Sequence, residues 1–266
     1  MKVRTRFAPS PTGMIHIGGL RTALFAYLFA IKNNGDFILR IEDTDRERFV
    51  EDAEEQIIAS LRWLGLNPTE GIGSDNNKYG EYRQSLKLER YQEIAKELVK
   101  NGKAYYCNVD EKIVNDLREA AIKDNKPFVF REDLVSKYIE GQTSGVIRLR
   151  IPKDEVLEIN DRVFGKIVAR SQDVEDFILI KADGYPTYNF AHIIDDFDMQ
   201  ITHIFRGQEF LSSVPKYLFL YSALGYNAPE MVHCPNILGP DGKKKLSKRD
   251  GDVNVFDYKQ KGFLPS

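Results

Sequence analysis

Only two cysteines occur in the 266-residue sequence, Cys107 and Cys234, and they stand far apart. That scarcity excludes a disulfide-stapled scaffold and fits a reducing compartment. No stretch approaches the roughly eighteen consecutive apolar residues of a membrane-spanning helix. The opening residues, MKVRTRFAPSP, lack the apolar run of a secretory signal. The expectation is a cytoplasmic protein without a membrane partner. Net charge is also scarce, at -2. Binding of nucleic acid by bulk positive charge is therefore excluded, and any RNA contact needs a local patch. The one dense basic cluster is Lys243, Lys244, Lys245, Lys248 and Arg249. Taken alone, such a run describes a solvated loop.

What is present is ordinary core material: 42% hydrophobic residues, with sixteen Phe and thirteen Tyr. That suffices for one large domain, or one domain with a substantial insertion. Residues 3–8 read as a strand ended by Pro9 and Pro11. Leu20, Ala23, Leu24, Tyr27, Leu28 and Ile31 fall at helical spacing, and Asn33-Asn34-Gly35 stops the helix. Phe37–Ile41 is a second strand. Residues 51–64 form a second amphipathic helix, with Ala53, Ile57, Leu61 and Leu64 inward. Strand, helix, strand, helix opens a doubly wound parallel sheet. A helix over 86–100 follows. From Lys103 to about Arg170 the texture changes, with helices near 110–123 and 132–140 and strands over 145–152 and 165–170 of an inserted module. The α/β pattern resumes with strands at 177–180, 201–205 and from 231, and helices through 188–194 and 214–224. Neither internal repeats nor low-complexity segments occur.

Two loops carry chemistry. In the first, a strand runs into Pro9-Ser-Pro-Thr-Gly-Met-Ile-His-Ile-Gly-Gly19 and then a helix. Free backbone N–H groups and the helix dipole at such a point attract phosphate, and His16 adds a donor. The spacing matches neither the Walker loop nor the dinucleotide fingerprint. By itself the loop is equally a structural turn. The second, Gly239-Pro-Asp-Gly-Lys-Lys-Lys-Leu-Ser-Lys-Arg249, is basic and turn-rich. Such a loop can close over a triphosphate as negative charge grows on it. By itself it reads as a basic surface hairpin.

Together the two loops resemble the paired signatures of class I aminoacyl-tRNA synthetases. His16-Ile-Gly-Gly19 resembles the first, with Gly19 where many members carry a second histidine. Lys245-Leu-Ser-Lys-Arg249 resembles the second, with Leu for the commoner Met and Arg for the final Ser. The wider set is closest to the glutamyl enzymes: Arg6-Phe-Ala-Pro-Ser-Pro-Thr-Gly13, Arg40-Ile-Glu-Asp-Thr-Asp45, Tyr82-Arg-Gln-Ser85, Asp183-Gly-Tyr-Pro-Thr-Tyr-Asn189, Asp195-Asp196 and Leu246-Ser-Lys-Arg-Asp-Gly251. It covers essentially the whole chain.

The resemblance implies an α/β fold: a Rossmann-like parallel-sheet catalytic core with an inserted mixed α/β module that binds the tRNA acceptor end. Residues 1–102 would form the first half of the core. Residues 103–190 would form the insertion. Residues 191–266 would form the second half, with the lysine loop and the start of a linking helical subdomain. The family's anticodon-binding domains would lie beyond residue 266, so the chain is expected to lack them. The implied reaction is ATP-dependent activation of L-glutamate to its adenylate, with tRNA present, and transfer to the 3′ end of tRNA(Glu) by a monomer.

The implied site follows residue by residue. His16 and Lys248 would contact the phosphates in the transition state, with Mg²⁺ bridging phosphate oxygens. Thr12 would be an auxiliary donor, Lys245 would steady the closed loop, and Gly18 and Gly19 would make room for adenine and ribose. Arg6 would receive the glutamate side-chain carboxylate. Ser10 and Glu42 would hold its amino end, and Tyr188 and Arg206 would make further contacts. A surface ion pair with Glu209 is the competing reading for Arg206. His192, where members vary, reads first as a core histidine, and Phe210 as packing. Some bacterial members carry a Cys/His zinc site in the insertion. Cys107 has no second Cys or His nearby and cannot build a tetrahedral site, so no structural zinc is expected.

Four other readings remain open. One is a short relative that glutamylates a modified tRNA base, disfavoured by the missing Cys/His cluster and by Lys248-Arg249. A second is a non-catalytic tRNA-binding paralogue, disfavoured by intact His16, Lys248 and Arg6. A third is a nucleotidyltransferase of the same superfold, for which the insertion has no use. The last is a glutaminyl enzyme, against which Arg6 and the Pro9-Ser-Pro11 run weigh.

Overall fold

The computed structural model describes residues 2–45, 48, 50–239, 242–246 and 254–265. Two sheets organise them. The larger contains β1 (Arg4–Phe7), β2 (Asp36–Leu39), β3 (Glu70–Gly71), β6 (Val156–Asp161), β7 (Gly165–Arg170), β9 (His203–Gly207) and β10 (Glu230–Cys234). Its order is β3-β2-β1-β9-β10-β6-β7. It is parallel as far as β6, and β7 returns antiparallel as a hairpin. The smaller sheet, β4 (Ala104–Tyr106), β5 (Ile147–Leu149) and β8 (Ile178–Ile180), is antiparallel. Residues 103–190 thus supply both the small sheet and the hairpin that borders the large one. β6 has no counterpart among the strands read from the sequence. Its apolar residues Val156, Leu157 and Ile159 are few and stand among charged neighbours, and only Leu157 and Ile159 turn, half-buried, to the core.

The central strands are covered on both faces. Phe37 and Leu39 enter one core with Phe205, while the intervening Ile38 enters another with Ile204. This is the period-2 alternation of a strand buried on both sides. Helix α1 (Ile17–Lys32) packs on β1 and β9. Its buried residues are Thr22, Ala23, Ala26 and Ala30. Leu24, Leu28 and Ile31, which share the helical spacing, are instead exposed. Small side chains let the helix axis lie close to the sheet, and they define the inward face in place of the larger apolar residues. After α1 the chain turns through Asn34 at φ 50°. It then passes Gly35, where a Cβ would collide with the Val3 carbonyl.

Helix α2 (Ala53–Trp63) buries Ala53, Ile57 and Leu61, while Leu64, the fourth expected inward residue, caps the helix half-buried. α3 (Leu88–Lys100) and α7 (Val214–Leu224) pack in the core cluster that also holds the small sheet and α6 (Tyr188–Asp198). α4 (Glu111–Lys123), α5 (Glu132–Ile139) and the short α8 (Val255–Gln260) complete the helices among the described residues. None is long and apolar enough to cross a membrane.

The inner end of α6 buries charge. Arg6 Nε donates to Asp196 at 3.0 Å, and Arg40 Nη1 donates to the same carboxylate at 2.8 Å. Arg40 Nη2 donates to Glu42 at 2.9 Å. Asp195 accepts from Lys87 (2.6 Å), Gln84 (2.9 Å) and the Tyr91 hydroxyl (2.9 Å). Burial opposes the Asp196 charge, but Arg6 and Arg40 outweigh it and hold the carboxyl well below its usual range. One turn earlier, His192 is stacked on Tyr188 and edge-on to Tyr217. Burial pushes its imidazole down to about 3 against the opposing pull of Asp196.

Replacing Arg40 by Leu would leave three carboxylates around one missing cation. Removing one partner of a buried pair costs about 3–5 kcal/mol, so Arg40→Leu should lower the urea midpoint by a corresponding amount. An unchanged midpoint would show that the cluster contributes nothing to folding. His192 is neutral when folded, whereas an unfolded histidine takes a proton near about pH 6.5. Stability should therefore fall as pH drops from about 6.5 towards 3. Between about pH 7 and about pH 4.5 the protein should lose about 2–3 kcal/mol more than His192→Gln. Equal losses would mean that the imidazole is not depressed.

Candidate active site

In a parallel sheet the carboxyl ends of adjacent strands open a crevice where the winding direction reverses. Here that point lies between β1 and β9, since the chain moves from β1 towards β3 on one side and from β9 towards β10 on the other. A cleft of about 500 Å³ occupies it. β1 delivers Arg6 and then the loop through Ser10, Thr12 and His16. Glu42 follows β2, Arg206 ends β9, and the segment after β10 brings Lys245 and Leu246. Thr12, His16, Gly18, Gly19, Lys245, Arg6, Ser10, Glu42, Tyr188 and Arg206 all border this one cleft. Lys248, the remaining residue expected there, lies outside the described residues.

His16 is the N-cap of α1. Its Nδ1 accepts from the Gly18 N–H at 3.0 Å. In the neutral ring that bond leaves the proton on Nε2, the form that can donate to a phosphate oxygen. A Cβ on Gly18 would come within 3.3 Å of His16 Nδ1, so the bare glycine keeps the cap close. The lysine-bearing segment is tied to the cleft on both flanks. Leu246 N–H donates to the Ile237 carbonyl (2.8 Å), and Lys245 bridges to Leu238. Beyond residues 247–253, Asn254 pairs with His16, and Val255 N–H donates to the Ile15 carbonyl (3.2 Å). The described parts of the stretches carrying the two signatures therefore meet at one cleft. Lys245 itself is exposed.

The cleft floor is cationic. Arg6 is 5% exposed, and its Nε edge is already engaged by Asp196, with Nη1 donating to the Phe205 carbonyl at 3.3 Å. That edge is thus taken, although a guanidinium has five N–H groups and only part of this one is used. Arg206 is also 5% exposed. It lies over the Tyr217 ring at 4.6 Å, donates from Nε to His233 at 3.0 Å, and contacts the Met231 sulfur at 3.6 Å. Its Nη1 is buried without a hydrogen-bond partner, and no ion pair with Glu209 forms among the described residues. Glu42 accepts from Arg40 and is raised by burial, against the pull of Arg40. Tyr188 packs between His192 and Phe210. His192 stands behind Tyr188, not in the cleft wall. A second depression, bordered by Thr44, Asp45, Arg48 and Lys181, shares Ser10, Glu42, Tyr188 and Phe210 with the first.

Several residues of the site were not legible beforehand. Arg40 and Asp196 set the state of Arg6, and His233 engages Arg206. Arg21 of α1 donates to the Pro235 carbonyl beside the cleft. The acidic pair Asp195-Asp196 stood out in the sequence, but its burial did not. Among the described residues no group of three or more His, Cys, Asp or Glu side chains could hold a metal ion.

The chain is 46% identical to the glutamate–tRNA ligase of Clostridioides difficile over 279 residues, covering 100% of this chain and 56% of that protein. It is 48% identical to the glutamate–tRNA ligase of Mycoplasmopsis agalactiae over 276 residues, covering 99% of this chain and 59% of that protein. Among solved structures, the glutamate tRNA ligase of Elizabethkingia meningosepticum, in complex with its amino acid, superposes with a TM-score of 0.89. That pair shares 40% identity over 100% of this chain and 59% of the other. The chain therefore spans a little over half the length of these relatives. Residues 2–266 match the family model described as tRNA synthetases class I (E and Q), catalytic domain. With the switch-point cleft, the His16 cap and the lysine-bearing segment beside it, this places the chain in the class I glutamyl and glutaminyl tRNA synthetase family, within its catalytic domain.

Proposed function

We propose that this chain activates L-glutamate with ATP and transfers it to the 3′ end of tRNA(Glu). The observation that carries the reading is that the described parts of both signature loops border one cleft whose floor presents two arginines. Arg206 borders the cleft and has no carboxylate partner among the described residues, which favours an anionic ligand, because a guanidinium pairs best with a carboxylate. A neutral glutamine amide would meet one cationic donor with a donor of its own. Ser10 and Glu42 supply an acceptor-rich rim for the amino group, and Tyr188 closes the side.

The first step is attack of the glutamate α-carboxylate on the α-phosphorus of ATP, with pyrophosphate leaving. It needs alignment and charge stabilisation more than proton transfer. In this reading the N–H groups at the start of α1, His16 Nε2–H and Thr12 receive phosphate oxygens, and Lys245 and Lys248 close over the leaving pyrophosphate. Gly18 and Gly19 leave space for the ribose and adenine. Mg²⁺ would supply further neutralisation of phosphate charge. With no described cluster of ligands to cage it, it would enter on the phosphates themselves. In the second step the terminal ribose hydroxyl attacks the acyl carbon of the adenylate, the acyl–phosphate bond breaks and AMP leaves. The depression beside Thr44 and Lys181 adjoins the cleft on the side from which an acceptor end could enter. Residues 103–190 are the segment we assign to acceptor-end binding, between core halves 1–102 and 191–266. A cytoplasmic monomer fits the reading.

ATP–pyrophosphate exchange with glutamate, glutamine and aspartate, each with and without total tRNA, tests it. Exchange should appear with glutamate alone and should require tRNA. Exchange with glutamine, or none with any amino acid, would overturn the assignment. Lys248→Ala should lower the exchange rate about 100-fold or more, with the ATP KM changed only a few-fold. Equal losses in both would limit Lys248 to holding ground-state ATP.

A further inference from the structure

Arg206 owes its direction to two residues that no signature motif contains. Its Nε donates to His233 Nε2 at 3.0 Å. A guanidinium has no acceptor, so this nitrogen of His233 must carry the lone pair. The other ring nitrogen, Nδ1, lies 2.6 Å from Asp161 Oδ2. Asp161 and His233 are both almost wholly buried, with side-chain exposures of 0%. The rest of the Asp161 carboxylate is fully engaged as an acceptor. Oδ2 also receives the His233 backbone N–H at 3.1 Å, and Oδ1 receives the Val163 and Phe164 N–H groups at 2.9 Å each. Burial opposes the charge on Asp161, but these bonds outweigh it and keep the carboxyl below its usual range. A carboxylate that only accepts on one side of the ring, and a guanidinium that only donates on the other, leave one arrangement. The ring is neutral with its proton on Nδ1, the less common tautomer of free imidazole.

We propose that Asp161 and His233 form a positioning relay that locks Arg206 by its Nε and holds its guanidinium at the cleft for a substrate carboxylate. Asp161 fixes the tautomer, His233 fixes the Nε edge, and the Tyr217 ring at 4.6 Å fixes the plane. The route also gives β6 a role. β6 joins β10 through one register pair, Met231 with Asp161, so the hairpin is seated on the core at the residue that anchors the relay. The surrounding sequence makes Asp161 a natural anchor. It ends a strand, and its side chain caps the turn into Val163-Phe164 as an Asx turn does. His233 and Asp161 touch no substrate in this account and act only through Arg206.

The proposal rests on the reading of Arg206 as a glutamate contact, and its test separates the two. Long-range proton–nitrogen NMR of the imidazoles in the 266-residue chain should show His233 with its proton on Nδ1 near neutral pH. A proton on Nε2 would overturn the relay, whatever the ligand. Glutamate and ATP dissociation constants would then be measured for the parent chain and for His233→Phe, His233→Gln and Arg206→Ala. Arg206→Ala and His233→Phe should each weaken glutamate about 10-fold or more, the scale of a lost hydrogen bond to a charged group. ATP affinity should stay within about 2-fold. His233→Gln, whose amide oxygen can still accept from Nε, should recover much of the loss and also covers the case in which His233→Phe fails to fold. If Arg206→Ala weakens glutamate but both His233 variants bind it normally, the relay is overturned while the reading of Arg206 stands. If Arg206→Ala binds glutamate normally, the reading of Arg206 falls and takes the relay with it.

Discussion

Asp196 is the charge on which the cleft depends. It sits wholly buried on α6 and binds Arg6 and Arg40 together. Two guanidinium groups would repel one another at that range in a low-dielectric interior, and neither would keep a fixed rotamer without a shared anion. Arg40 passes the link to Glu42, so the cationic floor and the acidic rim of the cleft are set by one cluster. Arg6, from the first strand, meets Asp196, on α6 in the third quarter of the chain, in a sheet where β1 and β9 are neighbours. The ion cluster thus ties the first strand to α6 across the length of the chain. A cluster of this kind is retained less for net stability than for geometry, since equally large apolar groups would pack at lower cost but could not present charge to a ligand.

A second coupling joins the signature loops. His16 caps α1 through Nδ1, and its backbone pairs with Asn254 just beyond the lysine segment. On the other flank Leu246 is fixed to Ile237 at the end of β10. Arg206 is held in a comparable way from the far side, through His233 on β10. The three cationic elements of the cleft thus arrive on separate supports: β1, β9 and the loop after β10.

Much of this could be read from the sequence because local rules carry it. The alternation of strand and helix, Gly35 as a helix stop and the two glycine-bearing loops all depend on near neighbours. The motif residues described in the structure do gather at one cleft. What escaped depends on long-range contact. Leu24, Leu28 and Ile31 carry the apolar period of α1, yet the alanines face the sheet, because the distance between helix and sheet is a tertiary fact. β6 has only the short apolar alternation of Leu157 and Ile159, and its place is set by pairing with β7 and β10. Arg6 was read as the receiver of the glutamate side-chain carboxylate, and its bond to a residue 190 positions away is invisible in sequence. Nothing in the sequence links Asp161, His233 and Arg206, because no short motif spans three strands.

The most direct test of the account is a crystal structure of this chain with L-glutamate and a non-hydrolysable ATP analogue. The account requires a glutamate carboxylate on the Arg206 guanidinium, triphosphate oxygens at the start of α1 beside His16, and Arg6 still bonded to Asp196. Ligands bound elsewhere, or an Arg6 that leaves Asp196 to reach the amino acid, would contradict it.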